Sequence, residues 1–288
     1  MTSPLPAGAC DCHVHVVGPA TRYPFHADRP YTPADAPAAL LQARMQDLGI
    51  ARAVIVQPSF YGTDNSCLVD ALALLGPAGR GVAVVAPDAG SAVLDPLHQA
   101  GVRGLRINLA SNADAALEAA RESLAQTVSQ CVRRGWHIQI FSTPALLLPL
   151  LPDLARLGVP VVIDHFGLAS TDLAHPYTVA LTKALQGGSL WLKLSAPYRL
   201  DASADEAGVA RLAQHLTRAA PERVVWGSDW PHTPVHSGRR DPDAPPRPYR
   251  TIDGRSLLRL AEAWFPDPAV RRRVMTDNPA HLYAFAAD

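Results

Sequence analysis

The stretch Ala9–Pro19, "ACDCHVHVVGP", alternates His13 and His15 with Val14 and Val16. A repeat of two is the repeat of a β-strand, so both imidazoles share one face. The valines then face covering helices and the histidines face the interior of a sheet. Two inward imidazoles are hard to account for as packing, because buried polar groups need partners. The residues after the strand matter equally. An open doubly wound sheet commonly carries G-x-G-x-x-G after its first strand, and none stands here.

Beyond this stretch come seven further short runs rich in Val and Ile. They are "ARAVIVQP" (51–58), "GVAVVAP" (81–87), "VRGLRINL" (102–109), "WHIQIF" (136–141), "VPVVIDHFG" (159–167), "LWLKLSAP" (190–197) and "RVVWGSDWPH" (223–232). Ala/Leu-rich segments lie between them, among them 34–49, 67–76, 116–135 and 206–220. Eight strands alternating with helices predict a parallel sheet. Eight such units in 288 residues predict a closed (β/α)8 TIM barrel in a single domain, 1–288. There is no Walker P-loop and no G-x-S-x-G elbow.

Composition removes several classes of function. Lys+Arg and Asp+Glu are equal at 26 each, which gives no basic surface for nucleic acid. "RRRV" (271–274) is too short for such a surface and reads as a solvated helix face. No apolar run approaches the roughly 20 residues that span a membrane, and the N-terminus lacks the pattern of a secretory signal. The expected location is therefore cytoplasmic. Cys10, Cys12, Cys67 and Cys131 form no C-x-x-C pair and read as buried apolar residues. The 27 prolines are about twice the average share. They are densest in "RRDPDAPPRPYR" (239–250), read as a loop over the active face. In "TDNPAHLYAF", Asp277 or Asn278 is expected to cap a terminal helix with Pro279 in its first turn.

In a parallel barrel the chemistry sits at the C-terminal strand ends. The polar residues there are Asp11, His13 and His15 on strand 1, Gln57 and Ser59 on strand 2, and Arg106 and Asn108 on strand 4. Strand 5 adds Gln139, strand 6 Asp164 and His165, strand 7 Lys193 and Ser195, and strand 8 Ser228, Asp229 and His232. Asp11 either orients an imidazole or bonds to backbone. A carboxylate ending a buried strand needs cationic or donor partners, which for Asp229 the histidines can supply.

These residues resemble the amidohydrolase superfamily, with H-x-H on strand 1, a late-strand His and Asp on the last strand. The ordered set "DCHVHVVGP", "YPFHADRPYTP", "GVRGLRINL", "IDHFG", "SAPYR", "WGSDWPH" and "DNPAHLY" is similar to its lactonase branch, which includes 2-pyrone-4,6-dicarboxylate lactonase. The resemblance runs from residue 9 to 283. It implies hydrolysis of a small anionic lactone. By match, Asp229 is the general base on water, and His13, His15 and His165 polarise the substrate carbonyl. Arg106 and Arg199 match positions that hold a substrate carboxylate. Tyr31 matches a substrate-contacting tyrosine, and His232 a histidine beside the base. Two expected arginines are replaced by Leu168 and Asn112, which favours a substrate with fewer carboxylates or a sugar-acid lactone. Asn108, Asn112 and Gln139 are then candidates for bonding hydroxyls.

Metal-dependent relatives add a strand-5 histidine and a strand-4 bridging group. Here strand 4 offers a cation, Arg106, and strand 5 offers Gln139, a poor zinc ligand, with His137 at the wrong end. The expectation is that no cofactor is required. If zinc is present, His13, His15, His165 and Asp229 hold it. The alternatives are a lactone isomerase, a zinc-dependent decarboxylase of the same superfamily, and a non-catalytic small-anion-binding protein. The oligomeric state stays open.

Overall fold

A computed structural model describes residues 5–29, 31–109, 117–201, 204–234 and 245–286. Eight parallel strands run in chain order: β1 (Cys10–Val14), β2 (Arg52–Val56), β3 (Gly79–Ala83), β4 (Val102–Asn108), β5 (His137–Phe141), β6 (Val161–Ile163), β7 (Leu190–Ser195) and β8 (Val224–Gly227). Just past β8, Asp229 N donates to His13 O at 2.9 Å and His15 N to Trp230 O at 2.7 Å. These bonds bring the last strand back to the first and close the barrel. The predicted (β/α)8 architecture is therefore the observed one.

Helices α1 (Ala38–Leu48), α2 (Ser66–Leu75), α3 (Ser91–Gln99), α4 (Leu117–Val132), α5 (Pro144–Leu154), α6 (Pro176–Gln186), α7 (Glu206–Ala219) and α8 (Gly254–Trp264) follow the strands. α7 shows why such segments are helical. Asp205 caps it by accepting from Gly208 N at 2.6 Å. Its buried residues Val209, Leu212, Ala213 and Leu216 recur at helical spacing and face the barrel. Among the described residues no helix is long and apolar enough to cross a membrane.

Three local expectations are corrected. The third strand starts at Gly79, two residues before the predicted run, because glycine lets α2 lie close. A Cβ on Gly81 would meet Leu72 at 2.9 Å. Neither Asp277 nor Asn278 caps the terminal helix, α9 (Asn278–Leu282), since a π-turn over Arg273–Asp277 runs into it. Asn278 Nδ2 instead donates to Val224 O at 2.7 Å and Pro221 O at 2.9 Å, tying the helix under β8. Arg271 is not solvated but buried beside Glu262, at 3.8 Å. Of the loop 239–250, residues 239–244 lie outside the described residues. In the remainder, Arg247 N donates to Thr32 O, and Arg250 N to His232 O.

All four cysteines are buried with free thiols. Cys10 and Cys12 sit with Val54, Val82, Val162, Val225 and Tyr283 in an apolar cluster that includes inward residues of several strands. Register slips by one residue between Asp11 and Val14 against β2. This bulge lets His13 and His15 face inward although Cys10 and Cys12 do too.

Candidate active site

The loops leaving β6, β7 and β8 bend sharply. His165 (φ 53°), Phe166 (57°), Leu168 (53°), Ala196 (49°), Asp229 (64°) and His232 (71°) all adopt left-handed backbone. Each such non-glycine residue costs about 1–3 kcal/mol and is held by its surroundings. The cluster falls at the C-terminal strand ends, where His165 and Asp229 meet the strand-1 histidines. Close approach also depends on Gly227, where a Cβ would lie 2.8 Å from both His13 N and His13 Cβ.

Asp229 is fully buried, and its two oxygens have different company. Oδ2 accepts from Tyr198 OH at 2.7 Å and from Arg199 Nη2 and Nε at 2.9 and 3.1 Å. Oδ1 faces three imidazole nitrogens: His13 Nε2 at 3.5 Å, His15 Nε2 at 3.6 Å and His165 Nε2 at 3.9 Å. Oδ1 and His13 Nε2 are buried without a hydrogen-bond partner among the described residues. Burial by itself pushes the Asp229 carboxyl up. The Arg199 guanidinium and the histidines outweigh it and hold the group well below the usual carboxylate range. Asp229 is therefore an anion anchored through one oxygen, with the other presented to the site.

The second contact of each histidine decides what its Nε2 does. His15 Nδ1 lies 2.7 Å from Val56 O, which only accepts, so the proton is on Nδ1. In the neutral ring its Nε2 is an acceptor. His165 Nδ1 lies 2.8 Å from Ser195 Oγ, which can donate and leave Nε2–H for the pocket. Burial lowers His165 to about 4 and His232 to about 4, so both rings are neutral at pH 7.

Beneath this layer lies a second, fully buried one. Lys193 Nζ donates to Gln139 Oε1 at 2.8 Å and approaches His13 Nδ1 and Asp164 Oδ1, both at 3.3 Å. Gln139 Nε2 donates to Asp164 Oδ2 at 3.0 Å. Burial raises and Lys193 lowers the Asp164 carboxyl, which ends well below its ordinary value.

Above Asp229 opens a pocket lined by His15, Tyr31, Arg106, His165, Arg199 and Asp229, with Phe60 and Phe141 as apolar walls. The half-buried Arg106 donates through Nη1 to Gln57 O at 3.0 Å, while its Nε has no hydrogen-bond partner among the described residues. Asn108 also lines the pocket. Two candidate substrate contacts, Gln139 and Arg199, are engaged with protein groups, while His232 stands beside the base as the resemblance implies. Gln139 lies in the lower layer, not on the pocket wall. His232 stands behind Asp229, its Nδ1 at 3.4 Å from Tyr198 OH. Arg199 lines the pocket, but its guanidinium is engaged with Asp229 and with Thr233 Oγ1 at 2.7 Å. Asp11 takes the backbone option, accepting from Ser228 N at 2.8 Å and His13 N at 3.3 Å. Leu168 ends the turn after His165, and Asn112 lies outside the described residues. Tyr198 had no assigned role in the sequence; its only signal is its place beside Arg199 in "SAPYR".

The same atoms fit a metal ion. Ligand atoms of His13, His15 and Asp229 lie within 4.8 Å of one another. Their separations of 3.5 and 3.6 Å from Oδ1 are close to the roughly 3.4 Å edge of a tetrahedral zinc site with bonds of about 2.0–2.1 Å. A ligand histidine with Nδ1–H on a carbonyl, as in His15, is the usual supporting contact. His137 remains distant in role, packed edge-on to Tyr283 at 5.2 Å.

A family model described as amidohydrolase matches residues 10–285. The chain is 32% identical to a 2-pyrone-4,6-dicarboxylate hydrolase of Comamonas testosteroni, over 97% of this chain and 91% of that protein. It is 33% identical to a 4-sulfomuconolactone hydrolase of Rhizobium radiobacter, with the same coverage of 97% and 91%. It is 30% identical to a D-galactarolactone isomerase of Agrobacterium fabrum, over 98% and 94%.

Proposed function

The chain belongs to the amidohydrolase family, and we propose that it opens the ring of a small anionic lactone by hydrolysis. The observation that carries the proposal is the split environment of Asp229. Arg199 and Tyr198 hold Oδ2, and Oδ1 faces the pocket among three imidazole Nε2 atoms. A base anchored through one oxygen is what activation of a water demands.

The reaction follows from the donors and acceptors. Asp229 Oδ1 takes a proton from water, whose second hydrogen points to the His15 Nε2 acceptor. The water oxygen bonds to the lactone carbonyl carbon, and the carbonyl oxygen takes the negative charge. Nε2–H groups of His13 and His165 donate to that oxyanion. The ring C–O bond then breaks, and the departing ring oxygen takes the proton from Asp229. His15 thus acts on water, where the family match placed it on the carbonyl. Arg106 pairs with a substrate carboxylate, with Tyr31 beside it. If a divalent ion binds, His13, His15 and His165 through Nε2 and Asp229 through Oδ1 would hold it, and it would supply Lewis-acid polarisation of the carbonyl.

The kinship with both pyrone and muconolactone hydrolases supports an anionic ring substrate. The pocket's partner-poor guanidinium, Arg106, supports one carboxylate rather than several. Kinship with a lactone isomerase supports a second reading, in which a substrate hydroxyl replaces water as nucleophile and Asn108 binds a hydroxyl. The test is a panel of pyrone, muconolactone and aldaric-acid lactones followed by NMR, on protein of measured metal content. Open-chain acid as product supports hydrolysis, and a shifted ring supports isomerisation. No turnover of any lactone overturns both.

A further inference from the structure

We propose that Lys193 is a positioning residue that keeps the proton of His13 on Nε2, so that this imidazole faces Asp229 Oδ1 and the reacting atoms as a hydrogen-bond donor and not as a lone pair for a metal. Lys193 is wholly buried on β7, directly below the site. An ammonium carries three protons and no lone pair, so it only donates. Its aligned hydrogen bonds go to Gln139 Oε1 at 2.8 Å and His13 Nδ1 at 3.3 Å. Asp164 Oδ1 is 3.3 Å from both Lys193 Nζ and His13 Nδ1, yet is a buried oxygen with no aligned hydrogen bond among the described residues. His13 Nδ1 therefore receives a proton from Lys193 rather than giving one to Asp164. A neutral ring that accepts at Nδ1 carries its own proton at Nε2. That Nε2 is itself buried and without a hydrogen-bond partner among the described residues, beside Asp229 Oδ1.

The two histidines of H-x-H then hold opposite tautomers. His15 is set by Val56 O and accepts through Nε2, while His13 is set by Lys193 and donates through Nε2. Hydrolysis without a metal needs this pair: an acceptor for water and a donor for the carbonyl. Asp164 Oδ1 is the waiting alternative. If the proton moved to Nδ1, Asp164 would accept it, and Nε2 would join the His15 and Asp229 donor set. Lys193 thereby selects against metal capture at a site whose outline fits one.

The purpose assigned to this tautomer rests on the lactone reading, but the tautomer itself is measured without substrate, so the two can fail separately. The experiment uses metal-depleted full-length protein labelled with 15N histidine, with His13 assigned by difference from His13→Gln. Wild type is expected to show a protonated-type Nε2 and an unprotonated-type Nδ1 for His13. Lys193→Met should move the proton to Nδ1 and tighten zinc binding by about 10–100-fold, the scale of supporting-contact changes. Asp164→Asn should leave the proton on Nε2 and not tighten zinc. A protonated-type Nδ1 in wild type overturns the proposal, whether or not Lys193→Met folds. So does unchanged zinc affinity in a folded Lys193→Met.

Discussion

Asp229→Asn replaces one carboxylate oxygen by an amide nitrogen without changing shape, and the structure determines which oxygen is lost. Oδ2 receives three donors, from Tyr198 OH and from Nε and Nη2 of Arg199. Only the amide oxygen can stay there. The amide NH2 must take the Oδ1 position, facing His13, His15 and His165. A proton acceptor at the reacting position becomes a donor, which removes the base. General-base catalysis contributes about 10²–10⁴-fold, so kcat should fall by that factor, about 2.7–5.4 kcal/mol of barrier. Arg106, the proposed partner of the substrate carboxylate, is untouched, so KM should change little. Arg199 keeps neutral acceptors in place of an anion, at a cost in stability of about 1–3 kcal/mol. The assay is steady-state ring opening on a confirmed lactone, with a thermal melt to establish folding. A folded variant within about tenfold of wild-type kcat would refute Asp229 as the base.

Arg106→Met should raise KM for a carboxylated lactone by roughly 10–150-fold, from the loss of a charged hydrogen bond of about 1.5–3 kcal/mol, with kcat less affected. An unchanged KM would remove Arg106 from substrate binding. Gly227→Ala forces a Cβ onto His13 N and Cβ at 2.8 Å, a close contact with backbone. It should cost about 1–3 kcal/mol and displace His13, so kcat should fall together with Tm; wild-type activity and melting would contradict the packing. Burial lowers His137 to about 3, and His165 and His232 to about 4, against 6.5 for the free side chain. Below pH 6.5 the unfolded chain then binds protons that the folded chain refuses, so stability falls as pH drops from about 6.5 toward 4. Each histidine contributes a slope of about 1.4 kcal/mol per pH unit. Asp11, raised by burial, opposes this weakly. Melts at pH 7.5, 6 and 5 check it, and a Tm unchanged between 7.5 and 5 would refute neutral burial of these rings.

Strand periodicity and burial are local properties, and they made the pattern legible from the residues alone. Alternation of His13 and His15 with valines, eight apolar runs, and acidic or basic residues at their ends led to the barrel, and to His165 and Asp229 at its mouth. Partnership was not legible in this way and came with the folded chain. Arg199 reads as a substrate anchor in "SAPYR", yet the turn after β7 brings it to Asp229 Oδ2. Gln139 reads as a pocket residue, yet closing the ring sets it one layer down with Lys193 and Asp164. The tautomers of His13 and His15 depend on Lys193 and Val56, 180 and 41 residues away. A strand's period states which face a side chain takes. Which atom meets it there depends on the stagger and closure of all eight strands, and on that atom depends whether an imidazole gives a proton or accepts one.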